Sequence, residues 1–353
     1  MKLLFESIIK YFIVSLFIGI TSFCFFGCKS DMPVDSSPFR NSNIYNFTTM
    51  YVPHDTIIRM AAGDSHTAFI ETLGHVYQIK DGVTTDLSNT DTTFSCNATN
   101  FYDANYFVMS GYKSPVVNGY KIPQFKIYNN GVFTKVNFQD SSLFGYNVVL
   151  YTVSPGKFYF MLYQQNKLYL FDNGIVTSYS LNSTPGTIFK SQGNLYLYAN
   201  SSPGSGNDIY KITNEGVNFL RREPIEMHIT QYRLENDLIK VRTLNNENIF
   251  SYFTENDWTD FYTFNTESTL DRIWHVTGES RNKFVMILND SNSIFSVYAW
   301  DRNILKKQEN FPEGIGYGTT TGYITASDYK DNTFYFYYYN VGGRLVRGNY
   351  VRN

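Results

Sequence analysis

An all-β chain closed into a seven-bladed β-propeller is the fold predicted here, and three features of the sequence predict it. Tight-turn residues recur at positions 82, 131, 174, 216, 257 and 302, with a last copy near 350, at intervals of 41 to 49 residues. Runs alternating between the two sides of a sheet flank these turns, and a period of two belongs to strands. The 353 residues include 30 Tyr, 30 Phe and 3 Trp, an aromatic load that suits sheets packed face to face. A self-similar unit of roughly 40 to 50 residues with three or four strands is the signature of propeller blades. The fifth and sixth turns are weak, which leaves six or eight blades open.

The chain begins with a weakly basic stretch to Lys10, followed by an almost wholly apolar run from Tyr11 to Phe26. That run has the length of a signal-peptide core and is short for a membrane span. Phe25-Phe26-Gly27-Cys28 then places a small residue directly before a cysteine. The segment resembles a bacterial lipoprotein signal, which implies cleavage before Cys28 and acylation of its thiol. Residues 1–27 are accordingly read as signal peptide, 28–42 as a lipidated, flexible tether, and 43–353 as the propeller. Lys29-Ser30-Asp31 resembles the short tag of surface-exposed Gram-negative lipoproteins, so the expected place is the cell envelope, at the outer membrane. Cys24 leaves with the signal and Cys28 is spent on lipid. Cys96 then has no partner for an internal disulfide, and the domain must rest on its core.

The repeat starts at Val76-Tyr77-Gln78-Ile79-Lys80-Asp81-Gly82-Val83 and returns around Asn130-Gly131, Asn173-Gly174 and Asn214-Glu215-Gly216. Asn-Gly and Asp-Gly supply the positive φ that hairpin turns require. Degenerate copies follow at Asn256-Asp257-Trp258 and Asp301-Arg302-Asn303, and a hairpin containing Phe334-Tyr335-Phe336-Tyr337 ends the series. That aromatic run predicts a strand buried on both faces. Because the last copy lacks an outer strand, Asn43-Ile44-Tyr45-Asn46-Phe47-Thr48 is expected to supply it and close the ring. Ala61-Ala62-Gly63-Asp64-Ser65-His66-Thr67-Ala68 with Gly74-His75-Val76-Tyr77 resembles one repeat of the RCC1-type seven-bladed propellers. The resemblance implies the architecture; the other copies lack the pattern, so no activity is carried over.

Composition excludes some functions. With 29 Lys+Arg against 31 Asp+Glu the net charge is −2, a poor basis for the counterion displacement that drives nucleic-acid binding. No Gly-x-Ser-x-Gly elbow, Walker lysine, His-Glu-x-x-His or sialidase-type Asp box occurs. Gly314-Ile315-Gly316-Tyr317-Gly318 leads into β-leaning residues and not into a helix that could face a pyrophosphate. The Asp-Gly turns carry too few oxygens for calcium. No cofactor is expected.

Two sets of residues remain as candidates. Ile225-Glu226-Met227-His228 and Ile273-Trp274-His275 fall where inner strands of successive blades should begin. On a strand Glu226 and His228 share a face, as do Ile273 and His275. Were both faces to line the channel, a carboxylate and two imidazoles would converge, fit for zinc or acid–base chemistry. Hydrogen-bonded histidines in a wet channel are the plainer reading. Arg221-Arg222-Glu223, just before, is read as a solvated turn. The second set sits on a long loop over 111–123, where Tyr112, Lys113, Asn118 and Tyr120 suit stacking on a sugar or anchoring a protein. A second long loop over 201–208 is a spacer.

The function expected from the sequence is therefore a lipid-anchored binding or scaffold module for an envelope protein or glycan. The competing expectation is a polysaccharide hydrolase or lyase acting at the channel through Glu226, His228 and His275.

Overall fold

The computed structural model describes residues 44–51, 57–72, 75–87, 94–113, 123–137, 147–162, 165–201, 206–226, 229–292, 294–311, 323–339 and 344–351. Cys28, Asn118, Tyr120 and His228 lie outside them, as does the glycine-rich loop at Gly314. The described residues form 28 strands and no helix. The strands assemble into seven four-stranded sheets, each an antiparallel meander. Innermost strands of blades 1 to 7 are Ile57–Ala62, Phe94–Asp103, Asn147–Ser154, Thr184–Ser191, Ile229–Arg233, Arg272–Ser280 and Tyr323–Lys330. The blade count of seven and the all-β class agree with the sequence.

Local turn chemistry explains the hairpins. Asp81-Gly82, Asn130-Gly131 and Asn173-Gly174 all have positive φ at both residues, as a two-residue turn matched to strand twist demands. At these three turns the first amide donates to a carbonyl of the turn joining the blade's first two strands: Asp81 N to His66 O, Asn130 N to Asn105 O, and Asn173 N to Gly156 O. In blade 6, Arg302-Asn303 makes the same excursion at φ 47 and 74 without glycine, which is why its sequence signal is weak. His66 adds a side-chain clasp: its Nδ1 lies 2.8 Å from Asp81 Oδ1, which also accepts from Arg347 Nη1 at 3.0 Å.

Packing follows from strands whose two faces are both apolar. Phe158, Phe160 and Leu162 of blade 3 join a cluster with Tyr106, Val108 and Phe125 of blade 2. From the same strand, Tyr159 and Met161 pack with Ile188, Leu197 and Tyr210 of blade 4. The pattern repeats around the ring, and the seven hydrophobic clusters correspond to the seven blade–blade interfaces. Phe334, Tyr335, Phe336 and Tyr337 are fully buried, and they alternate between the clusters facing blade 6 and blade 1.

Closure takes the predicted form. Tyr45–Tyr51 pairs antiparallel with Arg344–Tyr350, from Tyr45 opposite Tyr350 to Tyr51 opposite Arg344, and becomes the outer strand of blade 7. The connection leaving blade 6 holds its start: Gln308 Oε1 accepts the amides of Ile44 and Tyr45 at 2.9 and 3.1 Å. Asn310 Nδ2 donates to the Tyr45 carbonyl at 2.8 Å. Tyr45 itself is wholly buried, with its ring 4.5 Å from Phe334 and 5.5 Å from Tyr350. Gly348 lies opposite Phe47, and a Cβ there would meet that ring at 2.6 Å, so only glycine leaves the closing strand its place.

Truncating Tyr45 to Ala removes a large buried aromatic from the seam, and equilibrium unfolding of Tyr45→Ala should show a loss of about 3–5 kcal/mol. A loss below about 1 kcal/mol would mean that the closing strand is not a working part of the core.

Candidate functional site

All seven inner strands contribute to one cavity of about 560 Å³, which is the propeller channel. Its lining comes from the C-terminal halves of those strands, such as 151–153, 275–278 and 327–330, beside the turns into the second strands. Loops between second and third strands leave from the other end of a meander. The strand ends that flank the predicted long loop, at Lys113 and Pro123, therefore lie at the opposite end of the sheet from this cavity. Tyr112 and Lys113 end the second strand of blade 2, Tyr106–Lys113.

Polar side chains from the inner strands brace neighbouring blades around the channel. Asn100 Oδ1 of blade 2 accepts the Thr152 amide of blade 3 at 2.7 Å. Tyr232 of blade 5 donates its hydroxyl to the Ile273 carbonyl of blade 6 at 3.1 Å. Asp328 Oδ2 of blade 7 accepts the Ala62 amide of blade 1 at 2.9 Å. One brace skips a blade. Lys330 Nζ of blade 7 lies 2.7 Å from Glu235 Oε1 of blade 5, while the Glu235 amide donates to Gly278 O of the intervening blade 6 at 2.9 Å. Such charge-assisted contacts fix the wall in one geometry.

Electrostatics vary around the wall. The charged lining residues are Arg59, Lys190, Arg233, Glu235, Asp328 and Lys330, joined by His275. Burial pushes the Asp328 carboxyl above its ordinary value, against backbone amides and Arg233 that pull it down. Burial also holds His275 below its ordinary 6.5 and raises the Tyr151 hydroxyl. His275 is therefore neutral at pH 7, and more positive than negative charge faces the cavity.

Of the predicted triad, Glu226 and His275 are not brought together at the channel. His275 lines the cavity, but Glu226 does not. Glu226 is exposed on the connection between blades 4 and 5 and pairs with Lys240 Nζ at 3.2 Å. The inner strand of blade 5 begins at Ile229, so Glu226 precedes it. A bulge corrects the other half of the expectation. The register slips between Ile273 and His275, which oppose Leu288 and Ile287. Ile273 then packs toward blade 5 and Trp274 toward blade 7, and Ile273 and His275 do not share a face. Among the described residues no group of three or more His, Cys, Asp or Glu is placed to hold a metal.

Arg221-Arg222-Glu223 is not a solvated turn. These residues end the outer strand of blade 4, Gly216–Glu223. Arg222 contacts the fully buried Asp208 through Nε at 2.6 Å and Nη2 at 3.1 Å. Glu223 accepts from Arg221 Nη2 and Trp258 Nε1 at 2.8 Å each and from Tyr198 Oη at 2.9 Å. Arg221 donates to Glu223 and to the Thr254 and Glu255 carbonyls of blade 5, and the network acts as a polar bolt between blades 4 and 5. Sequence reasoning missed it because, the Arg221–Glu223 pair aside, its partners are 14 to 35 residues apart.

Comparisons with known proteins bear on the fold. No protein-family model matches the chain, and neither does any curated protein sequence. Among solved structures, a catalytically inactive virginiamycin B lyase from Staphylococcus aureus with quinupristin is 12% identical, with a TM-score of 0.55 over 87% of this chain and 100% of that one. The Cps50 (Swd1) β-propeller domain of Myceliophteria thermophila is 10% identical, with a TM-score of 0.56 over 87% and 100%. YCF48 from Cyanidioschyzon merolae is 9% identical, with a TM-score of 0.54 over 86% and 98%. Likeness at these identities establishes the seven-bladed architecture, and nothing about activity.

The two half-buried titrating groups make opposite demands on pH. Burial disfavours ionised Asp328, so its cost sets in as pH rises above the ordinary 3.8 and is complete past the raised folded value. Asp328→Asn, which keeps an oxygen for the Ala62 amide, should raise the melting temperature at pH 7, with the gain shrinking as pH falls. For His275 the folded value is the lower one, so stability falls as pH drops below about 6.5. His275→Gln should flatten that acid slope in melting curves recorded between pH 7 and 5. A variant-minus-wild-type difference constant with pH, in either case, contradicts the assignment.

Proposed function

We propose that this chain is an exported, lipid-anchored propeller that works as a binding or scaffold module, for an envelope glycan or protein, with the channel as its recognition site. One observation carries the reading: a cavity whose wall is drawn from all seven blades and braced by hydrogen bonds into a fixed polar surface. A preformed concave site with a few fixed charges orients a small ligand or a protruding group. Tyr112, Lys113, Asn118 and Tyr120 are kept as a second contact surface. From the RCC1-type resemblance the reading takes the architecture and not an activity. Catalysis by Glu226, His228 and His275 is not carried forward, because Glu226 is engaged by Lys240 away from the cavity.

Anchoring rests on Phe25-Phe26-Gly27-Cys28 and the apolar run before it. Two acyl signals are needed for stable attachment, and cysteine acylation after signal cleavage supplies them in the family that the segment resembles. Radiolabelled palmitate should enter the wild-type chain and leave Cys28→Ala unlabelled, with the variant recovered in the soluble fraction. Equal labelling of both would remove Cys28 from the account.

Recognition is tested by thermal melting of the full chain against neutral and acidic oligosaccharides and divalent metals. A ligand at about 100 times its dissociation constant stabilises a single-site protein by roughly 2.7 kcal/mol. A shift with a saccharide that is lost when the channel wall is altered supports the module. A shift with zinc alone would point back to metal chemistry.

A further inference from the structure

Two of the channel's cations are held in no ion pair, although Arg233 lies close enough to Asp328 to draw its carboxyl down. Glu235 is taken by Lys330 at 2.7 Å, and Asp328 Oδ2 is bonded to the Ala62 amide. Among the described residues, Lys190 and Arg233 form no ion pair. Arg233 Nη1 makes a long 3.5 Å contact with the Ile188 carbonyl. That contact places the guanidinium of blade 5 beside the inner strand of blade 4, two residues from Lys190. Both side chains are exposed to the cavity that they line. A chain with net charge −2 thus gathers unspent positive charge inside a walled site, where the field is focused and not averaged over the surface.

The surroundings narrow the ligand. Beside this basic sector the wall offers the Tyr151 hydroxyl and the side-chain oxygen of Gln231; Gln231 Nε2 donates to Tyr198 Oη at 3.1 Å, and the Tyr232 hydroxyl is held by Ile273. A hydroxyl and an amide oxygen beside a guanidinium suit a polyhydroxylated ligand with one anionic group. A greasy carboxylate would leave them unpaired. The planar fork of Arg233 matches a carboxylate through two parallel hydrogen bonds, with Lys190 as an adjacent point charge. A cavity of about 560 Å³ falls within the usual range for small-molecule sites.

We infer that Lys190 and Arg233 form the anion-binding sector of the channel, and that it receives the carboxylate of an acidic sugar. This rests on the reading of the channel as a recognition site and names the chemistry recognised there. The ligand could arrive as a free sugar acid or as the end of an acidic glycan, and the carboxylated ring is common to both.

The test is calorimetric titration of the full chain in detergent at pH 7 and low salt. The probes are galacturonic acid, its trimer, the trimer methyl ester and inorganic phosphate. The acid is expected to bind and the uncharged ester to bind at least tenfold more weakly. Arg233→Gln and Lys190→Gln should each weaken the acid about tenfold or more, with partial rescue by Arg233→Lys. Lys80→Gln, an exposed residue outside the cavity, should change nothing. A trimer that binds more tightly than the monomer identifies a glycan end, and equal binding identifies a free sugar acid. An ester that binds as well as the acid overturns the carboxylate assignment while leaving a glycan module standing. Phosphate that matches the acid, with the same dependence on Arg233, overturns the sugar in favour of a general anion site. Binding unaffected by either variant overturns the sector. No binding of any saccharide overturns the inference together with the glycan form of the reading beneath it.

Discussion

The second strand of blade 3 puts Phe158, Phe160 and Leu162 against blade 2 and Tyr159 and Met161 against blade 4. A strand of this kind has no solvent face, so its sheet is stable only between two neighbours, and each neighbour makes the same demand of the next. Closing the ring is the way to meet that demand for every blade at once. The closing strand Tyr45–Tyr51 meets it for blades 6, 7 and 1: Tyr45 enters the cluster shared with blade 6 and Met50 the one shared with blade 1. At about 25 cal/mol per Å² of apolar surface buried, seven such interfaces supply the core on which the ring rests.

Closure also makes the channel. Inner strands held in a ring present one wall with contributions from every blade, and the braces between them are short and mostly directed at backbone groups. The Lys330–Glu235 pair goes further by linking blades 7 and 5 past Gly278 of blade 6. A site built this way changes little on binding and discriminates by the placement of a few charges. In that sense the proposed recognition of an anionic ligand is a consequence of how the fold is closed.

Much of the architecture was legible in the sequence. Asp81-Gly82, Asn130-Gly131 and Asn173-Gly174 announce themselves because positive φ at two consecutive residues restricts composition sharply. Arg302-Asn303 adopts the same conformation without a glycine, so its copy was faint. The closing strand was legible from a missing outer strand at one end and a spare alternating segment at the other. The site was much less so. A one-residue bulge at Trp274 separates the faces of Ile273 and His275, and nothing in the composition marks it. Arg233 and Lys190 are 43 residues apart in the chain; only the stacking of blade 4 on blade 5 brings their strands together. Arg222 and Asp208 pair across a hairpin whose strands were visible but whose register was not.

The central claim is that the seven blades are one cooperative ring, with the channel wall as its inner surface. Native-state hydrogen exchange of the closing strand tests it most directly. Amides of Tyr45–Tyr51 and of its partner Arg344–Tyr350 should exchange through the same global opening, with the same denaturant dependence, as those of Lys157–Leu162 in blade 3. A closing strand that exchanges by local opening, at a much smaller free energy while blade 3 stays protected, would contradict it.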